Sequence, residues 1–147
     1  MSDDALAVAR ESFAFWSPLV AHPCQAFALL GNEDGETSFR PHVVGDHGEA
    51  FGPFQWHEVR ADAIAASPPH GCGIDVRTAA HLDQLKAAHW EMTAGAYRKV
   101  WPALMAAMTL WSAVSVLVRS YEGSAEQARD IQRRVVLAEG WQRTFGR

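Results

Sequence analysis

The sequence predicts a mostly α-helical protein of about six helices, with one small β-hairpin after the second helix. Apolar residues recur at intervals of three and four along most of the chain, which is the spacing of one helical face. Residues 43–56 depart from this spacing, because they combine β-branched and aromatic residues with glycine-rich turns. We therefore expect an α+β protein with a helical core, folded as a single domain over residues 1–147.

The composition is that of an ordinary globular protein. The chain has 147 residues, of which 48% are hydrophobic and 20% are charged, and its net charge is −4. A nucleic-acid-binding protein usually presents a basic face, so the charge balance gives no reason to expect a nucleic acid as partner. Six tryptophans are many for this length, and for each of them burial in the core is the default interpretation.

The first two helices have recognisable starts. Ser2 or Asp3 can cap a first helix that runs to about Trp16, where a Ser-Pro pair breaks the pattern. Pro23 fits the first turn of a second helix, where a missing N–H has no cost. This helix should end between residues 35 and 38.

The middle of the chain predicts a hairpin and two further helices. Val43 and Val44 begin a strand, "GDHG" at 45–48 is a turn sequence, and "EAFGPFQW" at 49–56 is the returning strand. A helix should then run from residue 55 or 56 to about 66, and another from about 77 to 97.

The longest uncharged stretch, Trp101–Val118, reaches the lower length limit of a membrane span, roughly 17–25 residues. We expect instead a buried central helix from Trp101 to Tyr121 without stable membrane insertion, because nothing else in the chain is adapted to lipid. Its apolar face is predicted from residues three and four apart, namely Leu104, Met108, Trp111, Val114 and Val118.

After Gly123, Ser124 can cap a last helix. The inward face of this helix is predicted to hold Ile131, Val135, Leu137 and Ala138. Its arginines Arg129, Arg133 and Arg134 are predicted to form a solvated face.

The two cysteines and the N-terminus bear on the compartment. We expect Cys24 and Cys72 to be reduced, partly buried thiols, with a single bridge between them as the alternative. The first fifteen residues have neither a basic region nor a long apolar run, so we expect synthesis in the cytoplasm without a signal peptide.

Three acids, Glu33, Asp34 and Glu36, lie within four residues at the predicted end of the second helix. A carboxyl group beside apolar residues at a helix end can be desolvated, which raises its pKa toward that of a general acid at neutral pH. A cluster of solvated acids is the alternative, and spacing alone does not decide between the two.

The segment "ALLGNEDGETSFRPHVVGDHGEAFGPFQWHEVR" resembles the phage tail lysozymes and, more distantly, the soluble lytic transglycosylases and goose-type lysozymes. The matching positions are Gly31-Asn32, Glu36 before two hydroxyl residues, Phe39-x-Pro41, Gly45-Asp46, Gly48, Gly52, Gln55-Trp56 and Arg60. Weaker matches follow in "HLDQLKAAHWEM" and "SYEGSAEQARDIQRRVVLA", which contain Glu91 and Glu122.

The resemblance implies a lysozyme-like fold and cleavage of the β-1,4 bond between N-acetylmuramic acid and N-acetylglucosamine in peptidoglycan. Glu36 would be the catalytic acid, which leaves Glu33 and Asp34 as solvent charges. The substrate cleft would be lined by Gln55 and Trp56, with Phe54 and Gly52.

The second catalytic group stays open at the level of sequence. Asp46 and Glu49 on the hairpin are the candidates for it, with Asp46 slightly preferred, while Glu91 and Glu122 match family positions that could be purely structural. Without a second carboxylate in reach, the muramyl 6-hydroxyl would attack instead, as in a lytic transglycosylase. Two further hypotheses are a non-catalytic wall-binding tail module and a metal-dependent hydrolase.

We expect no cofactor and no metal, because His42, His47 and His57 do not have the spacing of a helix-borne metal pair such as H-E-x-x-H. The expected partner is the glycan strand of peptidoglycan, and the expected state is a monomer. The protein would act on the cell wall in the periplasm, as a free lysin or as part of a virion or phage-tail-like particle that contains other tail components.

Overall fold

The computed structural model describes residues 2–40, 42–45, 48–123 and 125–146. Within them, helices and strands follow in the order α1 Asp3–Trp16, α2 Pro23–Thr37, β1 Val44–Gly45, β2 Ala50–Phe51, β3 Trp56–His57, α3 Glu58–Ala65, α4 His81–Thr93, α5 Val100–Ala106, α6 Leu110–Val116, a π-helical segment Leu117–Glu122 and α7 Gln127–Phe145. The prediction of a mostly α fold with a small antiparallel β element is confirmed.

Helix α2 is the buried helix of the fold. Its most extensive contact is with α7, and it also packs against α1 and α6. Every residue from Cys24 to Glu33 is buried, so α2 is covered on all sides. Gly31 permits the close approach of α7, because a Cβ atom at this position would lie 2.7 Å from the Cβ of Ala138.

The predicted central helix Trp101–Tyr121 is not continuous, and this part of the prediction is wrong. It divides into α5, α6 and the π-helical segment, with Thr109 as the N-cap of α6. The Thr109 hydroxyl accepts a hydrogen bond from the Ser112 amide at 3.1 Å, and the Ser112 hydroxyl accepts one from the Thr109 amide at 3.2 Å. This capping box starts a new helix within an apolar stretch.

Helix α2 also stabilises this break. The side-chain amide of Gln25 donates to the carbonyl oxygens of Met105 and Ala107 at 2.9 and 3.0 Å, which are oxygens that a continuous helix would use itself. After the break the apolar face shifts, so that Met108 and Trp111 are exposed. None of the helices in the described residues has the length and the apolar character needed to cross a membrane.

The β element is a three-stranded antiparallel sheet in the order β1-β2-β3. Val44 pairs with Phe51, and Phe51 pairs on its other side with Trp56. The turn between β2 and β3 contains two positive φ angles, 69° at Gly52 and 48° at Gln55. The sequence predicted a two-stranded hairpin, and its turn residues Asp46 and His47 lie outside the described residues.

The helix ends agree with the sequence where a capping signal exists. Helix α1 has Ser2 as its N-cap, and α2 begins at Pro23, both as predicted. Helix α3 begins two or three residues later than predicted, because residues 56–57 belong to β3. Helix α4 is shorter than predicted at both ends, and the predicted cap Ser124 lies outside the described residues.

The core holds most of the aromatic side chains. Trp16 and Trp56 have no exposed surface, and they belong to the main core cluster together with Phe54 and Tyr121. A smaller cluster joins α1, α2 and α7 around Phe27, Leu30, Phe39 and Trp141. Both cysteines are free thiols, as expected; Cys24 is buried and Cys72 is half-buried.

Candidate active site

The C-terminal end of α2 positions Glu36. The helix stops at Thr37 because Ser38 and Phe39 both adopt positive φ angles, 52° and 57°. The Ser38 amide donates to the Asp34 carbonyl at 2.9 Å, and the buried ring of Phe39 packs edge-on against Trp141 at 5.0 Å between centroids. The helix end is therefore fixed by packing, while the side chain of Glu36 remains 17% exposed.

A chain of polar side chains connects Glu36 to a second carboxylate, Glu122. The guanidinium of Arg134, which comes from α7, donates to the Glu36 carboxylate and to the side-chain oxygen of Asn32. The side-chain amide of Asn32 then donates to the Glu122 carboxylate at 2.8 Å. Arg134 itself is 3% exposed, so its positive charge is held inside the protein directly behind Glu36.

The Glu122 carboxyl group titrates near neutral pH. Burial, together with the negative charge of Glu36, raises the pKa of Glu122 to about 7, against the opposing charges of Arg134 and Arg60. Near neutral pH this carboxyl group therefore still carries its proton in a large fraction of molecules.

Glu36 and Glu122 line the same cavity of about 270 Å³. The other lining residues are Gln55, His57, Arg60, Asp130, Arg133 and Arg134. A larger cavity of about 620 Å³ shares His57, Arg60 and Glu122 with it, so the two cavities adjoin. A third cavity, of about 790 Å³, lies beside Phe39 and the N-terminus of α1, and Glu36 is not among its lining residues.

Glu91 lines the larger of these two adjoining cavities. It is 2% exposed and accepts hydrogen bonds from Trp56 Nε1 at 3.0 Å and from the Tyr121 hydroxyl at 2.7 Å. Arg60 donates to both of its carboxylate oxygens, at 2.7 and 2.9 Å. The Arg60 guanidinium also lies over the rings of Tyr97 and Tyr121, at 4.3 and 4.5 Å from their centroids. All these contacts are internal, which identifies Glu91 as a structural carboxylate.

Three residues predicted to line a substrate cleft lie in the core instead. Phe54 and Trp56 have no exposed surface, so neither ring is available to stack on a sugar in this structure. Gly52 is also buried, and a Cβ atom there would meet Gln84 and the Trp56 ring at 3.1 Å. The Trp56 indole N–H needs a buried acceptor, and Glu91 supplies it.

The remaining predicted residues divide between the cavity and the surface. Gln55 lines the cavity with Glu36, and its side-chain amide donates to the Gly52 carbonyl at 2.9 Å. Glu49 is exposed and is not part of the cavity wall. Asp46, the preferred candidate for the second carboxylate, lies outside the described residues.

Glu33 is not a solvent charge, contrary to the sequence prediction. It has no exposed surface and accepts hydrogen bonds from the Ser12 hydroxyl and from Trp16 Nε1, both at 2.8 Å. Asp34 is half-buried and accepts from Trp141 Nε1 at 3.0 Å, and burial raises its pKa. Of the three neighbouring acids, only Glu36 faces the cavity.

Arg134 is a site residue that was not predicted from the sequence, where it was assigned to a solvated face. A signal for it exists: the buried positions of α7 are Ile131, Arg134, Ala138 and Trp141, and their spacing of three, four and three places Arg134 on the apolar stripe. A charge on such a stripe is buried, and a buried charge requires a partner.

No group of three or more histidine, cysteine, aspartate or glutamate side chains in the described part of the chain is arranged to hold a metal ion. The structure thus has an acid pair in a cavity at the end of a buried helix, beside a small antiparallel sheet. Two carboxyl groups that share a cavity define a candidate acid–base site.

The chain belongs to the phage tail lysozyme family, whose model matches residues 7–145. Comparisons with curated proteins and with solved structures gave no match. Membership of the family supports a lysozyme-like, peptidoglycan-lytic function and implies peptidoglycan as the substrate.

Proposed function

We propose that the protein is a glycosidase that cleaves the β-1,4 bond between N-acetylmuramic acid and N-acetylglucosamine, with Glu36 as the general acid. The observation that carries the proposal is the pair of carboxyl groups, Glu36 and Glu122, in one cavity. Glycosidases of this kind use two carboxyl groups on either side of an oxocarbenium-like transition state.

Glu36 is the proposed donor because it is partly exposed and lies at the end of a fixed helix. In its protonated form it would protonate the glycosidic oxygen as the bond to the anomeric carbon breaks. Arg134 holds the Glu36 carboxylate from the protein side and thereby orients it toward the cavity.

For the second group we propose Glu122, in its ionised form, in preference to Glu49, because only an ionised carboxylate can act as base or nucleophile. Glu122 lines the cavity, whereas Glu49 is exposed and outside the cavity wall. Asp46 stays a candidate on the basis of the family resemblance. Gln55 is the proposed contact to the sugar, because it is half-buried at the edge of the same cavity.

The attacking group separates two versions of this function. In a hydrolase, a water or a carboxylate attacks the anomeric carbon, and the product ends in a reducing sugar. In a lytic transglycosylase, the muramyl 6-hydroxyl attacks, and the product ends in an anhydro sugar that is lighter by one water. We propose the hydrolase, because a second carboxyl group lies in the cavity of Glu36.

Mass analysis of the products tests the proposal. Purified peptidoglycan is digested with the protein, and the soluble fragments are analysed with and without borohydride reduction. The proposal predicts fragments that end in reducible N-acetylmuramic acid. Anhydro-muramyl ends would replace the hydrolase by the transglycosylase, whereas N-acetylglucosamine reducing ends would contradict the proposed bond.

A further inference from the structure

The larger of the two joined cavities has a different chemistry from the one that holds Glu36. We call it the stem pocket; it has a volume of about 620 Å³ and lies between α3 and the segment from Trp90 to Arg98. Its wall is dominated by alkyl and aromatic groups, among them Val59, which is 84% exposed, and Trp90. An exposed apolar wall next to a catalytic cavity is a feature of ligand-binding sites.

The aromatic rings of the stem pocket are poorly placed to stack on a sugar. The Tyr97 ring is covered by the Arg60 guanidinium at 4.3 Å and contacts Tyr121 at 5.3 Å between centroids. The Trp90 ring packs closely against Gly95: a Cβ atom on residue 95 would lie 2.9 Å from the nearest atom of this ring. These contacts use ring surface that a pyranose would need.

The charge of the stem pocket is positive at its rim. Arg98 is exposed, and among the described residues its guanidinium has no hydrogen bond or ion pair. The two carboxyl groups in the wall do not cancel this charge. Glu91 is paired with Arg60, and Glu122 carries its proton in about half of the molecules near pH 7, because burial raises its pKa to about 7. His70 adds a further hydrogen-bonding group to the rim.

In peptidoglycan the glycan backbone is uncharged where the lactyl group is amide-linked to a peptide, and the carboxylates belong to that peptide. A peptide stem also carries the methyl groups of its alanines. A pocket with an apolar wall and a free cation at the rim therefore complements the stem and not the sugar chain.

We propose that the stem pocket binds the peptide stem on the muramyl residue next to the cleaved bond, with Arg98 pairing to a stem carboxylate and Val59 contacting alanine methyl groups. The proposal rests on the proposed function, because it takes the joined cavity of Glu36 as the place of cleavage. Its consequence is substrate selection: the protein prefers peptide-substituted glycan to bare glycan.

Two substrates and three variants test this inference. The substrates are intact peptidoglycan and the same glycan strands after removal of their stems with an amidase. The variants are Arg98→Ala, Val59→Asp, which places a negative charge on the exposed wall, and the matched control Arg119→Ala, an exposed arginine that lines neither cavity. The measured quantity is the ratio of kcat/KM on intact to that on stripped substrate.

We expect Arg98→Ala to lower this ratio about tenfold, the effect of losing one charge-assisted hydrogen bond. Val59→Asp should lower it by a similar factor, because its carboxylate repels the stem carboxylate. Arg119→Ala should leave the ratio unchanged. An unchanged ratio for Arg98→Ala would overturn the proposal, and so would an equal loss on both substrates, which would assign the pocket to the glycan itself.

Binding of a free stem tetrapeptide, measured by titration calorimetry, separates this inference from the proposed function. The inference predicts binding by the wild type that weakens about tenfold in Arg98→Ala. This result would support the stem pocket even if the protein cleaved neither substrate, and that failure would count against the proposed function alone. No binding of the tetrapeptide by the wild type would overturn the inference.

Discussion

At the scale of single residues, the acids of this protein differ in the hydrogen bonds that they accept and in whether they face a cavity. Glu33 and Glu91 are buried and saturated with hydrogen bonds from Trp, Tyr, Ser and Arg donors. Glu36 and Glu122 instead share a cavity and a polar chain through Asn32. Buried acids with full sets of internal donors stabilise the fold, and acids that face a cavity are available to a substrate.

Replacement of Glu91 by alanine should destabilise the protein strongly. It removes the partner of the Arg60 cation and leaves the Trp56 N–H and the Tyr121 hydroxyl without their acceptor. We expect a loss of about 3–5 kcal/mol in the free energy of unfolding, measured with urea. Glu49→Ala, at an exposed position, should change it by less than about 0.5 kcal/mol. Similar losses for the two variants would contradict the structural role of Glu91.

The stability of the protein should fall as pH rises through the titration of Glu122. The pKa of this carboxyl group is about 7 in the folded protein against an ordinary value of 4.5, so between these values the folded state binds the extra proton. Glu122→Gln should remove this dependence, which amounts to at most about 3 kcal/mol. Urea unfolding of both proteins at several pH values between about 4 and 8 measures the effect. Parallel stability curves would show that Glu122 titrates normally.

At the scale of elements, the contact between α2 and α7 positions the site. Arg134 and Trp141 reach α2 from α7, and they hold Glu36 and Asp34 respectively. The helices come this close because α2 has glycine at position 31, where a Cβ atom would also lie 2.7 Å from the Arg134 carbonyl oxygen. A shift of α7 would therefore displace the charge behind Glu36.

Two glycine-to-alanine substitutions test this contact, one in each helix. Gly31→Ala should destabilise the protein by about 1–3 kcal/mol, because the new methyl group overlaps α7. Gly140→Ala is the matched control: its Cβ atom would have no neighbour closer than Arg143 at 3.9 Å. Helix propensity then predicts a gain of up to about 1 kcal/mol. Thermal unfolding measures both, and equal signs for the two changes would contradict the packing described.

Local signals in the sequence predicted some element boundaries and missed others. Ser2 and Pro23 are cap signals, and α1 and α2 begin where these signals place them. The break before α6 was missed because the spacing of apolar residues continues across it, although Thr109 and Ser112 form a capping box. The strand β3 was missed because it is defined by pairing with β2, and pairing is not a local property.

At the scale of the whole molecule, buried polar side chains connect helices that are distant in the chain. His81 of α4 contacts Glu11 of α1 at 2.6 Å and Glu33 of α2 at 3.4 Å, next to the Ser12 hydroxyl. Burial opposes the charged form of this imidazole, but hydrogen bonds and charges from Glu33 and Glu11 outweigh it and raise the pKa of His81. A protonated His81 thus joins three helices.

This arrangement predicts a second pH effect on stability. Because the pKa of His81 is raised on folding, its contribution is complete below pH 6.5, its ordinary value, and is lost as pH rises through the folded pKa. His81→Gln should therefore destabilise the protein more at about pH 5.5 than at about pH 8.5. Urea unfolding at the two pH values checks this, and an equal loss at both would contradict it.

The sequence predicted where the site lies better than it predicted which residues form the site. Glu36 was singled out from its place at a helix end and from the resemblance, and it does line a cavity there. Trp56 was assigned to the cleft from the same resemblance, yet it is buried in the core, where its indole N–H bonds to Glu91, 35 residues away. Arg134 approaches Glu36 across 98 residues of chain, a juxtaposition that only the tertiary fold creates.

The most direct test of the central claim is the rate of peptidoglycan cleavage by Glu36→Gln, with Asp34→Asn as the matched control two residues away. Glutamine keeps an oxygen for the Arg134 hydrogen bond but has no acidic proton to donate. The rate of reducing-end release should therefore fall about 100- to 10,000-fold, while the circular dichroism spectrum stays unchanged. Asp34→Asn should retain activity, because Asp34 bonds to Trp141 and is not part of the cavity wall. A folded Glu36→Gln variant with wild-type activity would contradict the account.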